Sequence, residues 1–222
     1  MAIDVETKDC TSLSDAELAD LGDICTDGPA RFDIGLLSKQ REEWVLITLV
    51  HDSGALAGFS FCTLERIGGT PSVLIGLASV KRSPRRRDVL RAMMGDQLHR
   101  AVLAFPDEDV LIGTRLSDPA GFEAFTVFTE LHDVVPRPGH KATGEERAWG
   151  RRLAKRFGVD ADYRDREFVA PGEGVAPCVL DYEVEDAGDA QTAAFFGEVD
   201  AARGDCLIAF GWAMAEDLAA LE

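Results

Sequence analysis

Residues 72–116 read SVLIGLASVKRSPRRRDVLRAMMGDQLHRAVLAFPDEDVLIGTRL, and the fold turns on how this stretch is divided. Ser72 to Val80 is a nearly continuous apolar run, as expected of a central strand buried on both faces. A dense basic turn follows, from Lys81 to Arg91. Within and beyond it, Val89, Leu90, Met93, Met94, Leu98, Ala101, Val102 and Phe105 recur at steps of three and four, which predicts a helix over about residues 88–105 with one broad apolar face. Phe105-Pro106-Asp107 stops that helix, and Val110 to Leu116 supplies a second short apolar strand. Two strands joined through a helix cannot form a hairpin, so segments 72–80 and 110–116 are expected to be adjacent and parallel.

Upstream, Leu18, Leu21 and Ile24 fall at helical spacing behind Ser14 and Glu17, a capping-box pair, so Leu13 to Ile24 reads as a helix. Trp44 to Val50 and Ala55 to Arg66 are rich in β-branched and apolar residues and flank the turn His51-Asp52-Ser53-Gly54, a β-hairpin signal. Downstream, Ser117-Asp118-Pro119 can cap a helix running to about Thr129, with Val134-Val135 as a last core strand. The character changes after Pro136-Arg137-Pro138-Gly139. Thr143 to Phe157 reads as a charged amphipathic helix, and residues 189–202 and 212–221 as further helices. Short strands are expected at 168–169, 179–184 and 206–210. The expected class is α/β: a mixed central sheet with one parallel strand–helix–strand unit over residues 8–138, and a C-terminal α+β extension, 139–222, packed on it.

Composition narrows the functional classes. In 222 residues, Asp and Glu number 40 against 23 Lys and Arg, a formal charge of −17 that repels nucleic acid and anionic membrane surfaces at long range. No nucleic-acid or membrane partner is therefore expected. No apolar run is long enough to cross a bilayer, and an N-terminus holding Asp4, Glu6 and Asp9 lacks a basic signal region, so a cytoplasmic location is expected. Cys10, Cys25, Cys62, Cys178 and Cys206 are scattered without a C-x-x-C pair or a histidine group, which reads as buried thiols and no metal site.

The order helix, hairpin, central strand, basic turn, long helix, strand, short helix over roughly residues 13–136 resembles the GNAT acyltransferase superfamily. The turn after that family's central strand reads approximately R-G-x-G-x-G/A-x-x-L-L. Here the same place holds Arg85-Arg86-Arg87-Asp88-Val89-Leu90-Arg91-Ala92-Met93-Met94. Thr114-Arg115-Leu116-Ser117-Asp118-Pro119-Ala120 is similar to the Asn-Pro-Ala sequence that often opens the family's next helix beside the cofactor. The resemblance implies acetyl-CoA or another acyl-CoA as co-substrate. Its diphosphate would lie on the backbone of Arg85, Arg86, Arg87, Asp88, Val89 and Leu90, where helix-start amides and flanking arginines bind anions. It also implies a central strand that splays from its neighbour, so that the pantetheine arm pairs with Ala78, Ser79 and Val80, with Ser117 nearby.

The implied activity is N-acyl transfer to an amine of a small molecule or a protein terminus, and a homodimer is compatible with it. Two departures stand out. Asp88 and Leu90 occupy family glycine positions, where a carboxylate at a helix start can take the amides for itself. The helix after the second strand carries Phe122, Phe125 and Phe128 in place of the tyrosine that many members use as acid, and the chain's two tyrosines are Tyr163 and Tyr182. Glu65, on the alternating face of Phe59, Phe61 and Thr63, is the candidate general base. The alternative reading is a non-catalytic GNAT-like binding or partner domain.

Overall fold

A computed structural model describes residues 2–25, 32–126, 131–172, 180–183 and 190–218. Strand β1 (Ile3–Asp9) is followed by helices α1 (Asp15–Ile24) and α2 (Ile34–Glu43), then strands β2 (Leu46–Asp52), β3 (Ala55–Ile67) and β4 (Thr70–Val80). Helix α3 (Arg86–Ala104), strand β5 (Val110–Leu116), helix α4 (Pro119–Thr126) and strand β6 (Leu131–Val135) come next. The C-terminal segment adds α5 (Gly144–Arg156), β7 (Val169–Ala170), β8 (Leu180–Asp181), α6 (Ala190–Phe195), β9 (Cys206–Ala213) and α7 (Ala215–Leu218).

Among the described residues the strands form one sheet in the order β1-β2-β3-β4-β5-β9-β6, with β7 beside β9 and β8 beside β4. Strands β1 to β4 are antiparallel neighbours, while β4 and β5 run parallel with α3 between them in sequence, as the strand–helix–strand pattern required. Alternation along β2 divides the two faces. Ile47 and Leu49 point into the core formed with α1 and α2, together with Phe59, Phe61 and Leu77. Thr48 faces α3, where it meets Gln97 and Thr7, and Thr7 in turn donates to Asp96 at 2.6 Å. The capping boxes expected at Ser14/Glu17 and Thr143/Glu146 are both formed.

Several boundaries differ from the expectations. Residues 3–9 form an edge strand, and 34–43 a helix whose Asp33 side chain accepts from Leu36 N–H. Of the helix expected at 212–221, the first two residues instead end β9, with Trp212 opposite Leu111 of β5 and His132 of β6; Ala215–Leu218 form α7, and residues 219–221 lie outside the described residues. Pairing on both edges settles the conformation of an apolar run that periodicity alone leaves open. The helix expected at 189–202 shortens to α6 and a turn at Ala201–Arg203 capped by Asp200. Residues 127–129, at the end of the helix expected after Ser117, lie outside the described residues, as do Phe128 and Cys178.

The sheet also runs through the division expected at residue 138. Strand β9 enters between β5 and β6, pairing from Val110↔Ala213 to Leu116↔Leu207 on one side, so the C-terminal segment completes the core from within. Its Leu207, Ile208 and Phe210 are fully buried. Cys10, Cys25, Cys62 and Cys206 are buried free thiols, and burial pushes the first three up to about 12.

Candidate functional site

The parallel ladder between β4 and β5 is short. It runs from Ser72↔Leu111 to Ile75↔Thr114, where Thr114 Oγ1 donates to the Ile75 carbonyl at 3.2 Å. Beyond that rung the strands part: β5 continues along β9 to Leu116, while β4 continues along β3 to Val80. An irregularity in β4 coincides with the parting. Its register against β3 passes from Cys62↔Ile75 to Ser60↔Ala78, placing one extra residue in β4, and such a bulge bends a strand and increases its twist. Gly76 lies at the bulge, and a Cβ there would stand 2.4 Å from the indole of Trp44, so the close approach requires glycine. Trp44 is held by a 3.0 Å bond from its Nε1 to Gln40 Oε1 on α2.

Past the bulge, Ala78, Ser79 and Val80 are buried, and the β4 edge that faces away from β3 leads to the start of α3. Arg85 is the N-cap residue, and its side chain makes no capping hydrogen bond; the Arg86 N–H turns back to the Ser83 carbonyl at 3.1 Å. Asp88 therefore does not take the amides as an N-cap would. Its exposed carboxylate lies 3.6 Å from Arg85 Nε, and Arg85 Nη1 also donates to Asp52 at 2.6 Å. Arg87 is exposed. The side chains of Val89 and Leu90 are core residues, so only their backbone can serve a ligand. Ser117 donates to Asp118 Oδ2 at 3.4 Å, and Asp118 Oδ1 accepts the Gly121 N–H at 2.9 Å at the start of α4.

The β4 edge is occupied by the chain itself. Strand β8 runs parallel to it with Ala78↔Leu180 and Ser79↔Asp181 in register. The Asp181 side chain is 1% exposed and accepts from Ser79 Oγ at 2.8 Å and from Arg82 Nη2 at 2.8 Å. Arg86 Nε donates to the Glu183 carbonyl at 2.9 Å. On its other side β8 meets α4, where a Cβ on Gly121 would stand 2.9 Å from the Leu180 carbonyl oxygen. Tyr182 belongs to this segment. Tyr163 does not: it packs against Gly150 of α5, and burial pushes its phenol above the ordinary tyrosine range.

The structure thus brings together Ala78, Ser79, Val80, the Arg85–Leu90 turn and, through α4, Ser117. It separates Glu65 from them. Glu65 is opposite Ser72 and ion-paired with Arg156 Nε at 2.5 Å, and the six residues from Ser72 to Ala78 span about 20 Å of strand. A cavity of about 420 Å³, unforeseen from sequence, opens between α2 and the ends of β5 and β9. Leu36, Lys39, Gln40, Glu43, Arg115 and Asp162 line it, and Arg115 stacks on Phe157 at 5.1 Å. Gln40 connects this cavity to the bulge through Trp44.

A parallel strand pair that parts at a bulge, with an arginine-bearing helix start at the mouth of the split, is the arrangement implied by the resemblance drawn from residues 72–120. The fold is GNAT-like. Neither a protein-family model nor a curated protein matches the chain. Among solved structures it is similar to the ribosomal-protein-S18-alanine N-acetyltransferase from Escherichia coli, at 12% identity and a TM-score of 0.43 over 64% of this chain and 86% of that one. It is similar to Ard1 from Thermoplasma volcanium, at 16% identity and a TM-score of 0.42 over 60% and 86%. A third is aminoglycoside N-acetyltransferase AAC(6')-Iy in complex with CoA, at 14% identity and a TM-score of 0.40 over 57% and 84%. These likenesses are distant, and the fold assignment rests on the strand order and pairing themselves. No described helix is long and apolar enough to cross a membrane.

Proposed function

We propose that this chain is an acyl-CoA-dependent N-acyltransferase that acts on an amine of a small molecule or a protein terminus, with acetyl-CoA or another acyl-CoA as co-substrate. The observation that carries the reading is the end of the β4/β5 ladder at Ile75↔Thr114 beside the α3 start with Arg85, Arg86 and Arg87. The diphosphate end of the co-substrate fits these residues. The N-cap side chain, Arg85, makes no capping bond, the helix dipole favours anions there, and guanidinium groups add charge-assisted contacts. The pantetheine end does not fit as the chain stands, because β8 fills the edge of β4.

The cavity beside Gln40 and Arg115 is the place assigned to the acceptor, since it adjoins the bulge and has charged groups at its walls. An overall charge of −17 favours a cationic acceptor at long range. A second reading, a non-catalytic GNAT-like binding domain, is favoured by β8 in the split and by Phe122 and Phe125 on α4. Release of free thiol from acetyl-CoA, followed over a panel of small-molecule amines and peptide N-termini, tests the two. Amine-dependent thiol release that falls in Arg85→Ala and Arg87→Ala supports the transferase. Binding of acetyl-CoA without turnover on any amine supports the second reading.

A further inference from the structure

We infer that β8 is an internal ligand of the acyl-CoA slot: residues 180–183 close the site, and coenzyme A must displace them to enter. The inference rests on the acyl-CoA reading above and adds its regulation.

Three observations meet at β8. The backbone positions that a pantetheine arm would use, Ala78 and Ser79, are the two that pair with Leu180 and Asp181. The basic turn is engaged by acidic residues of the same segment: Asp181 pairs with Arg82 at 2.8 Å, and Glu183 meets Arg86 through its carbonyl at 2.9 Å and its carboxylate at 3.9 Å. The slot has no second width, because the Leu180 carbonyl would stand 2.9 Å from a Cβ on Gly121 of α4. β8 and a pantetheine arm are therefore mutually exclusive.

The chemistry of the segment suits an occupant better than a packing element. A buried charge is costly unless paired and hydrogen-bonded, and an apolar residue of similar size fills a core equally well. Asp181 instead places a carboxylate in a buried place beside Arg82 and Ser79, as an anionic ligand would. The attachment is short, with two residues in register. A tethered segment acts at an effective concentration on the order of mM, so two ladder positions and one ion pair suffice to hold it. The cost to a competing ligand follows from the open fraction. If the slot is open one tenth of the time, the apparent Kd rises about tenfold.

The test is calorimetric titration of coenzyme A into the full chain and into Asp181→Asn and Asp181→Lys, with hydrogen exchange followed at residues 180–183. Asp181→Asn keeps the shape and removes the charge facing Arg82, whereas Asp181→Lys sets two cations against each other. Both variants should bind coenzyme A more tightly than the wild type, Asp181→Lys by at least about tenfold. Exchange at 180–183 should rise in Asp181→Lys alone and in the wild type when coenzyme A is added. If coenzyme A binds all three proteins equally, or binds while 180–183 stays protected, β8 is not an internal ligand and the acyl-CoA reading stands. Protection that survives Asp181→Lys marks β8 as a fixed structural strand and also overturns the inference. If exchange shows 180–183 released and coenzyme A still does not bind, the acyl-CoA reading itself fails. Should Asp181→Lys not fold, Asp181→Asn and the wild-type exchange experiment decide by the same outcomes.

Discussion

Replacing Phe210 by Ala tests whether the C-terminal segment is part of the core. Phe210 sits in β9 with 1% of its surface exposed, opposite Gly113 of β5 and Val135 of β6, and its ring packs against Phe168 at 6.2 Å. Truncating a buried phenylalanine costs about 3–5 kcal/mol, a range that includes the cavity left behind. Domains are stable by roughly 5–15 kcal/mol, so the substitution removes a large share of the total. Urea unfolding followed by circular dichroism should show the midpoint lowered by about 1–2.5 M at unchanged slope, taking a slope of about 2–3 kcal/mol per molar. Deleting residues 139–222 goes further. It removes Leu207, Ile208 and Phe210, whose burial is worth roughly 5–9 kcal/mol together, and strips β5 and β6 of their shared partner. The truncated chain should not fold. A loss below about 1 kcal/mol for Phe210→Ala, or a cooperative unfolding transition in residues 1–138 alone, would refute the placement of β9.

Gly76→Ala should cost about 1–3 kcal/mol by overpacking against Trp44, and the cost should shrink when combined with Trp44→Ala in a double-mutant cycle. Glu65→Gln should leave coenzyme A affinity and turnover unchanged, and should alter stability by less than about 1 kcal/mol, because its half-exposed pair with Arg156 is remote from the split. Acid stability should depend on two carboxylates. Hydrogen bonds from Lys8 and from Ser14 hold Glu17 down to about 2, and those from Arg203, Gly172 and Asp200 hold Asp205 well below the usual carboxylate range. Both folded values lie below the unfolded ones near 4, so their contribution is present above about pH 4 and is lost as pH falls toward 2. Melting temperatures of Glu17→Gln and Asp205→Asn should converge with the wild type over that window; parallel curves would contradict the assignment.

The half of the fold built on local signals was legible in the sequence. Ser14 and Glu17 fixed the start of α1, the β-branched and apolar runs either side of His51-Asp52-Ser53-Gly54 fixed the hairpin, and the uninterrupted three-and-four spacing from Val89 fixed α3. What was not legible depends on partners distant in the chain. Cys206 to Phe210 reads as a strand, but its extension through Trp212 and Ala213 and its insertion between β5 and β6 depend on pairing with both. Helix α2 buries little beyond Leu37 and Gln40, so its sequence has almost no periodic face to detect. β1 does carry a signal, with Ile3, Val5 and Thr7 alternating with Asp4, Glu6 and Lys8, but an edge strand of seven residues is easily passed over. At the site, Asp88 beside Arg85 follows from their spacing of three. The occupation of the split by Leu180 and Asp181 does not, because it joins residues about a hundred positions apart.

Backbone amide resonances followed during titration of coenzyme A test the site most directly, in the wild type and in Asp181→Asn. Shifts should concentrate at Ala78 to Val80, at Arg86 to Leu90 and at Gly121, with those of Leu180 and Asp181 moving as β8 leaves the edge of β4. Saturable shifts confined to the cavity beside Arg115 and Gly158, with the start of α3 and the edge of β4 undisturbed, would contradict it.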